Sequence, residues 1–246
     1  MRQFTADQRM DRWLDRREIR NLFGRISADY ILKEERNMYE KYWSAREDVC
    51  LGTNEGYYCG AAAVQGYYKG CDERVALESR LLKAAFPKQY EQVPEEQVYG
   101  AGMMDWKPLD TEIVVIAGDG ETAKALFAVR GTYSRITKAG PVAYWQWGWF
   151  AADCVRENGA WKIWHLLTVN DIDHQSGSRF SEPAKPFDDV PEFAEIESFS
   201  MPEPNVKTTV RSLYSPDRRY TPAPRMPEPY ETFADTFSYG CEEVKA

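Results

Sequence analysis

Apolar residues recur at steps of three and four early in the chain. In DRREIRNLFGRISADYIL, Ile19, Leu22, Phe23, Ile26 and Tyr30 fall on one side of a 3.6-residue turn, which predicts an amphipathic helix. ERNMYEKYW predicts a short second helix with Met38, Tyr42 and Trp43 on one side. The period then changes. DVCLG and GYYCG read as two short strands around a turn at Thr53-Asn54. Helical spacing returns in AAAVQGYYKGCDERVALESRLLKAAF, where Gly66 and Gly70 weaken the middle and Pro87 ends the element.

From residue 112 onward the chain reads as sheet. TEIVVIA, Gly118-Asp119-Gly120 and TAKALFAVRGTY make one hairpin signal, because Asp-Gly supplies the positive φ of a tight turn. VAYWQWGWFAADCV, Asn158-Gly159 and AWKIWHLLTVND make a second with the same turn chemistry. Helices first and an antiparallel meander afterwards predict an α+β fold. Residues 175–246 differ: ten of the chain's 14 prolines lie there, together with ten aromatic residues from Phe180 to Tyr239. Disordered segments are poor in aromatics. The division expected is therefore a domain over 1–174 and an extended arm over 175–246, docked on its own or a neighbouring subunit.

If Asn158-Gly159 is a two-residue turn, Glu157 pairs with Ala160, Cys154 with Ile163 and Ala152 with His165. Strand residues alternate faces. One face then carries Trp161, Ile163, His165, Leu167 and Val169 beside Ala152, Phe150, Gly148, Gln146 and Tyr144, and reads as a cavity lining. The other carries Trp145, Trp147, Trp149 and Trp164. Four tryptophans are too much exposed aromatic surface for a monomer, so this face is expected to bury itself in a homo-oligomer, dimer or trimer. A slip of one residue would exchange the two roles.

Charge and composition narrow the classes. A net charge of −8 argues against nucleic acid and anionic membrane as partners. The five cysteines are odd in number and none form a Cys-x-x-Cys pair, which suggests free thiols in a reducing compartment. The start, MRQFTADQRMDRW, has no apolar signal core, and no apolar run is long enough to span a bilayer, so a cytoplasmic location is expected. Phosphate loops, nucleophile elbows and dinucleotide fingerprints are missing from the sequence. Asp171, Asp173, His174 and His165 match no standard metal spacing, so neither a metal nor a cofactor is expected.

Three stretches resemble the nuclear transport factor 2-like superfamily, particularly its SnoaL-like branch. IVVIAGDGETAKALF is similar to that branch's first long hairpin, and WGWFAADCVRENGAWKIWHL to its last. IRNLFGRISADYILKEERNMYEKYW is similar to its opening helices. The resemblance covers roughly residues 10–172. It implies a cone in which a curved sheet wraps the helices around a largely apolar pocket. It also implies cofactor-independent acid–base chemistry of the kind found in scytalone dehydratase, ketosteroid isomerase, polyketide cyclases, bile acid dehydratases and lyases of lignin-derived aromatics. Non-catalytic scaffolds share the fold.

The resemblance puts a substrate-binding tyrosine at Tyr30. Glu35 approximates a carboxylate of the bile acid dehydratases, but its longer side chain means the role is not carried over. Those dehydratases have a histidine where this chain has Asp105, Trp106 and Lys107. Asp105 is thus a candidate base if burial raises its pKa. His165, with a pKa near neutrality, is the candidate proton carrier; the alternative is a histidine packed in the core. Trp106, Tyr57, Tyr58, Tyr144, Gln146 and Phe150 are candidates to line the pocket, although core packing accounts for the aromatics equally well. The function expected is a lyase, dehydratase or isomerase acting on a small apolar aromatic molecule, with loss of water or formaldehyde favoured. The alternative is a non-catalytic ligand-binding or scaffold protein.

Overall fold

A computed structural model describes residues 4–137, 140–175, 191–220 and 224–241. The first part of the arm, including Phe180, therefore lies outside the described residues. Helix α1 (Ala6–Leu32) starts at a capping box, in which Thr5 and Gln8 bond each other's backbone N–H. A 3-10 turn (Glu35–Asn37) leads into α2 (Met38–Tyr42). Strands β1 (Cys50–Thr53) and β2 (Gly56–Cys59) form the short hairpin, and α3 (Ala61–Ala85) runs unbroken through both of its central glycines. Two single-turn helices follow, α4 (Pro87–Tyr90) and α5 (Glu95–Val98). The sheet region is β3 (Asp105–Trp106), β4 (Leu109–Ile116), β5 (Thr122–Thr137), β6 (Gly140–Glu157) and β7 (Ala160–Gln175). Helix α6 (Pro191–Ser198) and strand β8 (Val206–Lys207) belong to the C-terminal stretch.

The strands form one curved, open sheet in the order β3-β5-β6-β7-β1-β2-β8, with β4 also on β5. Every pairing is antiparallel except β1 with β7. The fold is the α+β class expected. Ile19, Phe23, Ile26 and Tyr30 from α1 meet Val64 and Tyr68 from α3 and Phe127, Phe150, Ala152 and Ile163 from the concave face in one core. The periodic residues of the opening helix are thus buried on the face that their spacing defines.

The last hairpin turns at Asn158 (φ 50°) and Gly159 (φ 79°), the left-handed pair that a two-residue turn requires. Glu157–Ala160 and Cys154–Ile163 pair as expected. The ladder then slips: His165 lies opposite Asp153, not Ala152, and Leu166 lies opposite Ala152. Trp164 is the extra residue of a β-bulge, and a bulge reverses the alternation beyond it. Leu166 therefore enters the concave core, whereas Leu167 and Val169 pack on the convex side. The expectation that His165 faces inward is corrected for this reason.

On the convex face His165 Nδ1 bonds Asp153 Oδ2 at 2.9 Å, and Lys124 Nζ bonds Asp153 Oδ1 at 2.5 Å. Lys124 and Asp153 are completely buried. What buries them is the chain's own C-terminal stretch. The Tyr239 backbone N–H donates to Asp153 at 2.8 Å, as does the Ser238 hydroxyl at 3.2 Å. The rings of Tyr230, Phe233, Phe237 and Tyr239 surround the Lys124 ammonium at 4.2–5.9 Å. Gly240 lies so close to His165 that a Cβ there would sit 2.7 Å from the imidazole.

The tryptophan face is shared out differently from the expectation. Trp164 stacks between His165 (4.5 Å) and Phe233 (4.4 Å), and Trp149 donates to Asp171 inside the cluster that contains Tyr239. Both are covered by the chain itself. Trp145 and Trp147 are 41% and 44% exposed and contact each other edge-on.

Removing one member of a buried ion network leaves the others charged and unpaired, at a cost of about 3–5 kcal/mol. Asp153→Ala is expected to lose stability on that scale in urea unfolding, and to expose the arm to trypsin at Arg218 or Arg225. A loss below about 1 kcal/mol with an uncleaved arm would show that the network does not hold the arm.

Candidate active site

The concave side of the sheet encloses a cavity of about 730 Å³. Its wall combines Tyr30 and Glu35 from the opening helices, Tyr58 from β2, and Tyr67, Cys71 and Arg74 from α3. Asp105, Lys107, Arg135, Gln146, Thr168, Asn170 and Asp173 come from the sheet and its leading loop. Met201, Thr209, Arg211 and Leu213 of the C-terminal stretch complete the wall. That stretch is held in place by β8 pairing with β2, by Tyr58 Oη donating to the Pro202 carbonyl at 2.8 Å, and by Asn54 Nδ2 donating to the Arg211 carbonyl at 2.9 Å. The C-terminal stretch thus forms part of the wall of this chain's own cavity. The largely apolar lining implied by the resemblance is corrected: four carboxylates and four cations face this space.

Among the described residues, three buried side-chain oxygens have no hydrogen-bond partner: Glu35 Oε2, Asp105 Oδ1 and Gln146 Oε1. All three residues line this one cavity. A buried unpaired polar atom costs about 1–3 kcal/mol, so their convergence marks a place for a ligand. Local backbone explains how the acids meet. Helix α1 stops at Lys33, which adopts φ 59°, a left-handed conformation that glycine normally supplies. The turn aims Lys33 inward, between Asp105 Oδ2 at 3.4 Å and Glu35 Oε1 at 3.9 Å. Lys107 reaches the same Asp105 oxygen at 3.3 Å and lies 4.1 Å from the Tyr30 ring centre. Both lysines thus occupy Oδ2 and leave Oδ1 without a partner among the described residues.

The two carboxyls are driven apart. Burial raises the Glu35 pKa above the ordinary carboxylate value, and Lys33 only partly opposes it. Burial also pushes Asp105 upward, but Lys107, Lys33 and Arg135 outweigh it and hold its pKa below the usual range. The expectation that desolvation would raise Asp105 is therefore corrected. Lys33 is lowered by burial despite its two acidic neighbours. Burial, with Tyr68 and Tyr67 adding to it, keeps the Tyr30 hydroxyl firmly protonated. Burial likewise pushes the Cys71 thiol up to about 12, which makes it a poor nucleophile.

Of the residues singled out in the sequence, Tyr30, Asp105, Tyr58 and Gln146 meet in this cavity. The others do not line it. Tyr57 packs on the convex side with Leu167 and Val169, because strand alternation sends it opposite to Tyr58. Trp106 is 53% exposed, pointing opposite to Asp105 on the same short strand. Phe150 is core, 6.2 Å from Tyr30 ring to ring, and Tyr144 stacks on Tyr133 at 4.9 Å. His165 lies across the sheet. Lys33 and Arg135 were not singled out, and Asp173 was weighed only as a metal ligand. Nothing in a pattern of apolar spacing signals them, although a lysine at a helix end where glycine is usual is a local oddity.

No protein-family model and no curated protein matches this chain. Among solved structures it is similar to the Kfla4162 protein from Kribbella flavida, at 15% identity, covering 65% of this chain and 93% of that one with a TM-score of 0.48. It is also similar to a type 2 hexachlorocyclohexane dehydrochlorinase (LinA), at 12% identity, with coverage of 72% and 99% and a TM-score of 0.48. A third is an NTF2-like protein with a cystatin-like fold from Novosphingobium aromaticivorans, at 15% identity, with coverage of 66% and 85% and a TM-score of 0.40. The architecture itself is the α+β cone that the nuclear transport factor 2-like resemblance implies. Among the described residues, no helix is long and apolar enough to cross a membrane.

A carboxyl whose pKa is raised by folding binds its proton more tightly in the folded state. Glu35 therefore costs stability as pH rises through its unfolded value of about 4.3 and beyond. Glu35→Gln carries no such cost. The variant is expected to melt higher than the native protein at neutral pH, with the gain vanishing below about pH 4. An equal or lower melting temperature at pH 7 would contradict the burial assigned to Glu35.

Proposed function

We propose that the cavity is the acid–base site of a cofactor-independent lyase that eliminates water, or a comparable small leaving group, next to an aromatic ring. The observation that supports this most is a pair of buried carboxyls in one cavity wall, each with one unpartnered oxygen and with surroundings that push their pKa values in opposite directions. A pair of acids whose pKa values are pushed apart can act as acid and base together.

Asp105, kept ionised by its lysines, takes a proton from the carbon beside the leaving group through Oδ1. Glu35, whose burial favours its protonated form, gives its proton to the departing hydroxyl. The C–H pair becomes the new double bond, the C–O bond breaks, and water leaves. Lys33 touches both carboxylates and offers the proton a route back from Asp105 to Glu35. Tyr30, protonated over the whole working range, donates a hydrogen bond to a substrate oxygen. Tyr30, Tyr58 and Tyr67 supply faces for an aromatic ring. His165 has no part in this reading, because it is buried on the other side of the sheet against Asp153.

The test is turnover of aryl-substituted hydroxy compounds, followed by the absorbance of the conjugated product. Asp105→Asn and Glu35→Gln are each expected to lower kcat/KM by about 10²–10⁴, while His165→Gln, which keeps a donor for Asp153, retains it. Activity needs Glu35 protonated, so kcat/KM is expected to fall as pH rises through its elevated pKa. The acid limb is expected below about pH 3.9, the ordinary aspartate value. Two carboxylate variants within twofold of the native enzyme would sink this reading. Ligand binding without turnover of any compound would favour the non-catalytic alternative.

A further inference from the structure

Arg135 is the cation in the cavity that the acid–base chemistry leaves without a clear duty. It projects from β5 into the wall near Gln146 and Asp105. Its guanidinium makes one long bond, from Nη1 to the Ser134 carbonyl at 3.4 Å, and its centre lies 4.8 Å from the Tyr133 ring centre. Among the described residues no carboxylate reaches it at ion-pair distance. The acids that influence it electrostatically are engaged elsewhere. Glu78 accepts from Arg74 at 2.7 Å and from the Ile136 N–H at 3.0 Å, and Asp105 is held by Lys33 and Lys107. Asp173, also in the wall, accepts from Tyr133 at 2.7 Å.

A guanidinium has five donors in a planar fork that matches a carboxylate. Here that fork faces a cavity with most donors unclaimed. Opposite in character are the unpartnered oxygens of the same wall: Asp105 Oδ1 and Gln146 Oε1 accept, and Glu35 Oε2 accepts or, when protonated, donates. A carboxylate can satisfy Arg135 but offers those acceptors no hydrogen. A hydroxyl can satisfy an acceptor but offers Arg135 no charge. A ligand that satisfies both sets carries both groups, and the tyrosine faces leave room for a ring between them.

We propose that Arg135 recognises a carboxylate, and that the molecule this cavity receives is an aryl hydroxy acid with its hydroxyl directed at the Glu35–Asp105 acceptors. The proposal rests on the acid–base reading only in assigning the hydroxyl as the group to be lost. Recognition of the carboxylate stands apart from it.

The test is calorimetric binding of three acid–amide pairs to the full chain: mandelate and mandelamide, 3-phenyllactate and its amide, and 3-hydroxy-3-phenylpropanoate and its amide. At least one acid is expected to bind about tenfold or more tightly than its amide, as a charged hydrogen-bonded pair of about 1.5–3 kcal/mol requires. Arg135→Gln is expected to reduce that acid to the level of its amide, and Arg135→Lys to fall between, since a lysine keeps the charge but not the fork. Equal binding of acid and amide in all three pairs overturns the proposal on the native protein, even if a variant does not fold. An Arg135→Gln protein that folds and keeps the acid preference also overturns it. If the acid preference depends on Arg135 while Asp105→Asn and Glu35→Gln leave turnover unchanged, the lyase reading fails alone. If those variants abolish turnover and acid and amide bind alike, the carboxylate proposal fails alone.

Discussion

The fully buried Asp153 carboxylate is the constraint on which the rest of this structure hangs. It sits on β6 and accepts from Lys124 on β5, from His165 on β7, and from Ser238 and Tyr239 of the C-terminal stretch. One side chain therefore fixes three neighbouring strands and the arm. Charges in a dry interior are tolerated only when every one of them is paired and solvated by polar groups. That requirement forces Asp153, His165 and Lys124 onto the same face, and the aromatic residues of the arm must cover them.

The consequence reaches the opposite face. With His165 committed to Asp153, β7 takes up a bulge at Trp164, and Leu166 replaces His165 on the concave side. Among the described residues the cavity wall thereby carries no histidine. Its acid–base capacity passes to Glu35 and Asp105, whose pKa values diverge because burial outweighs Lys33 at Glu35, whereas three cations outweigh burial at Asp105. The two halves of the arm serve these two faces in turn: residues 199–214 finish the cavity wall, and residues 230–241 seal the ion network.

Much of the fold was legible in the residues. The 3-4 spacing of Ile19, Phe23, Ile26 and Tyr30 marked a helix face that is indeed buried, and Asn158-Gly159 marked the turn at its true position. Tyr30, Tyr58, Asp105 and Gln146 were named as pocket residues and line one cavity, Gln146 because alternation on β6 holds, Tyr30 and Asp105 because the family resemblance pointed to their positions; alternation on β2 and β3 turns their neighbours Tyr57 and Trp106 away. The face of His165 was not legible, because one extra residue on β7, Trp164, inverts the assignments from His165 to Asn170, where a second irregularity follows. Lys33 and Arg135 were not, because charged residues have no periodicity that says whether they face water or a cavity.

The sequence by itself determined which segments are helix and strand, where the hairpins turn and which apolar residues form the core. These depend on local spacing and on turn residues with positive φ, both properties of a few neighbouring positions. Only the tertiary structure decided which polar groups share an interior. Asp105 and Lys33 are 72 residues apart, and Ser238 and His165 are 73 apart. The meaning of each carboxylate depends on what long-range folding puts within a few ångströms of it. Local pattern specifies the surfaces to be buried, and the pairing of the charges buried with them is settled only once the chain has closed on itself.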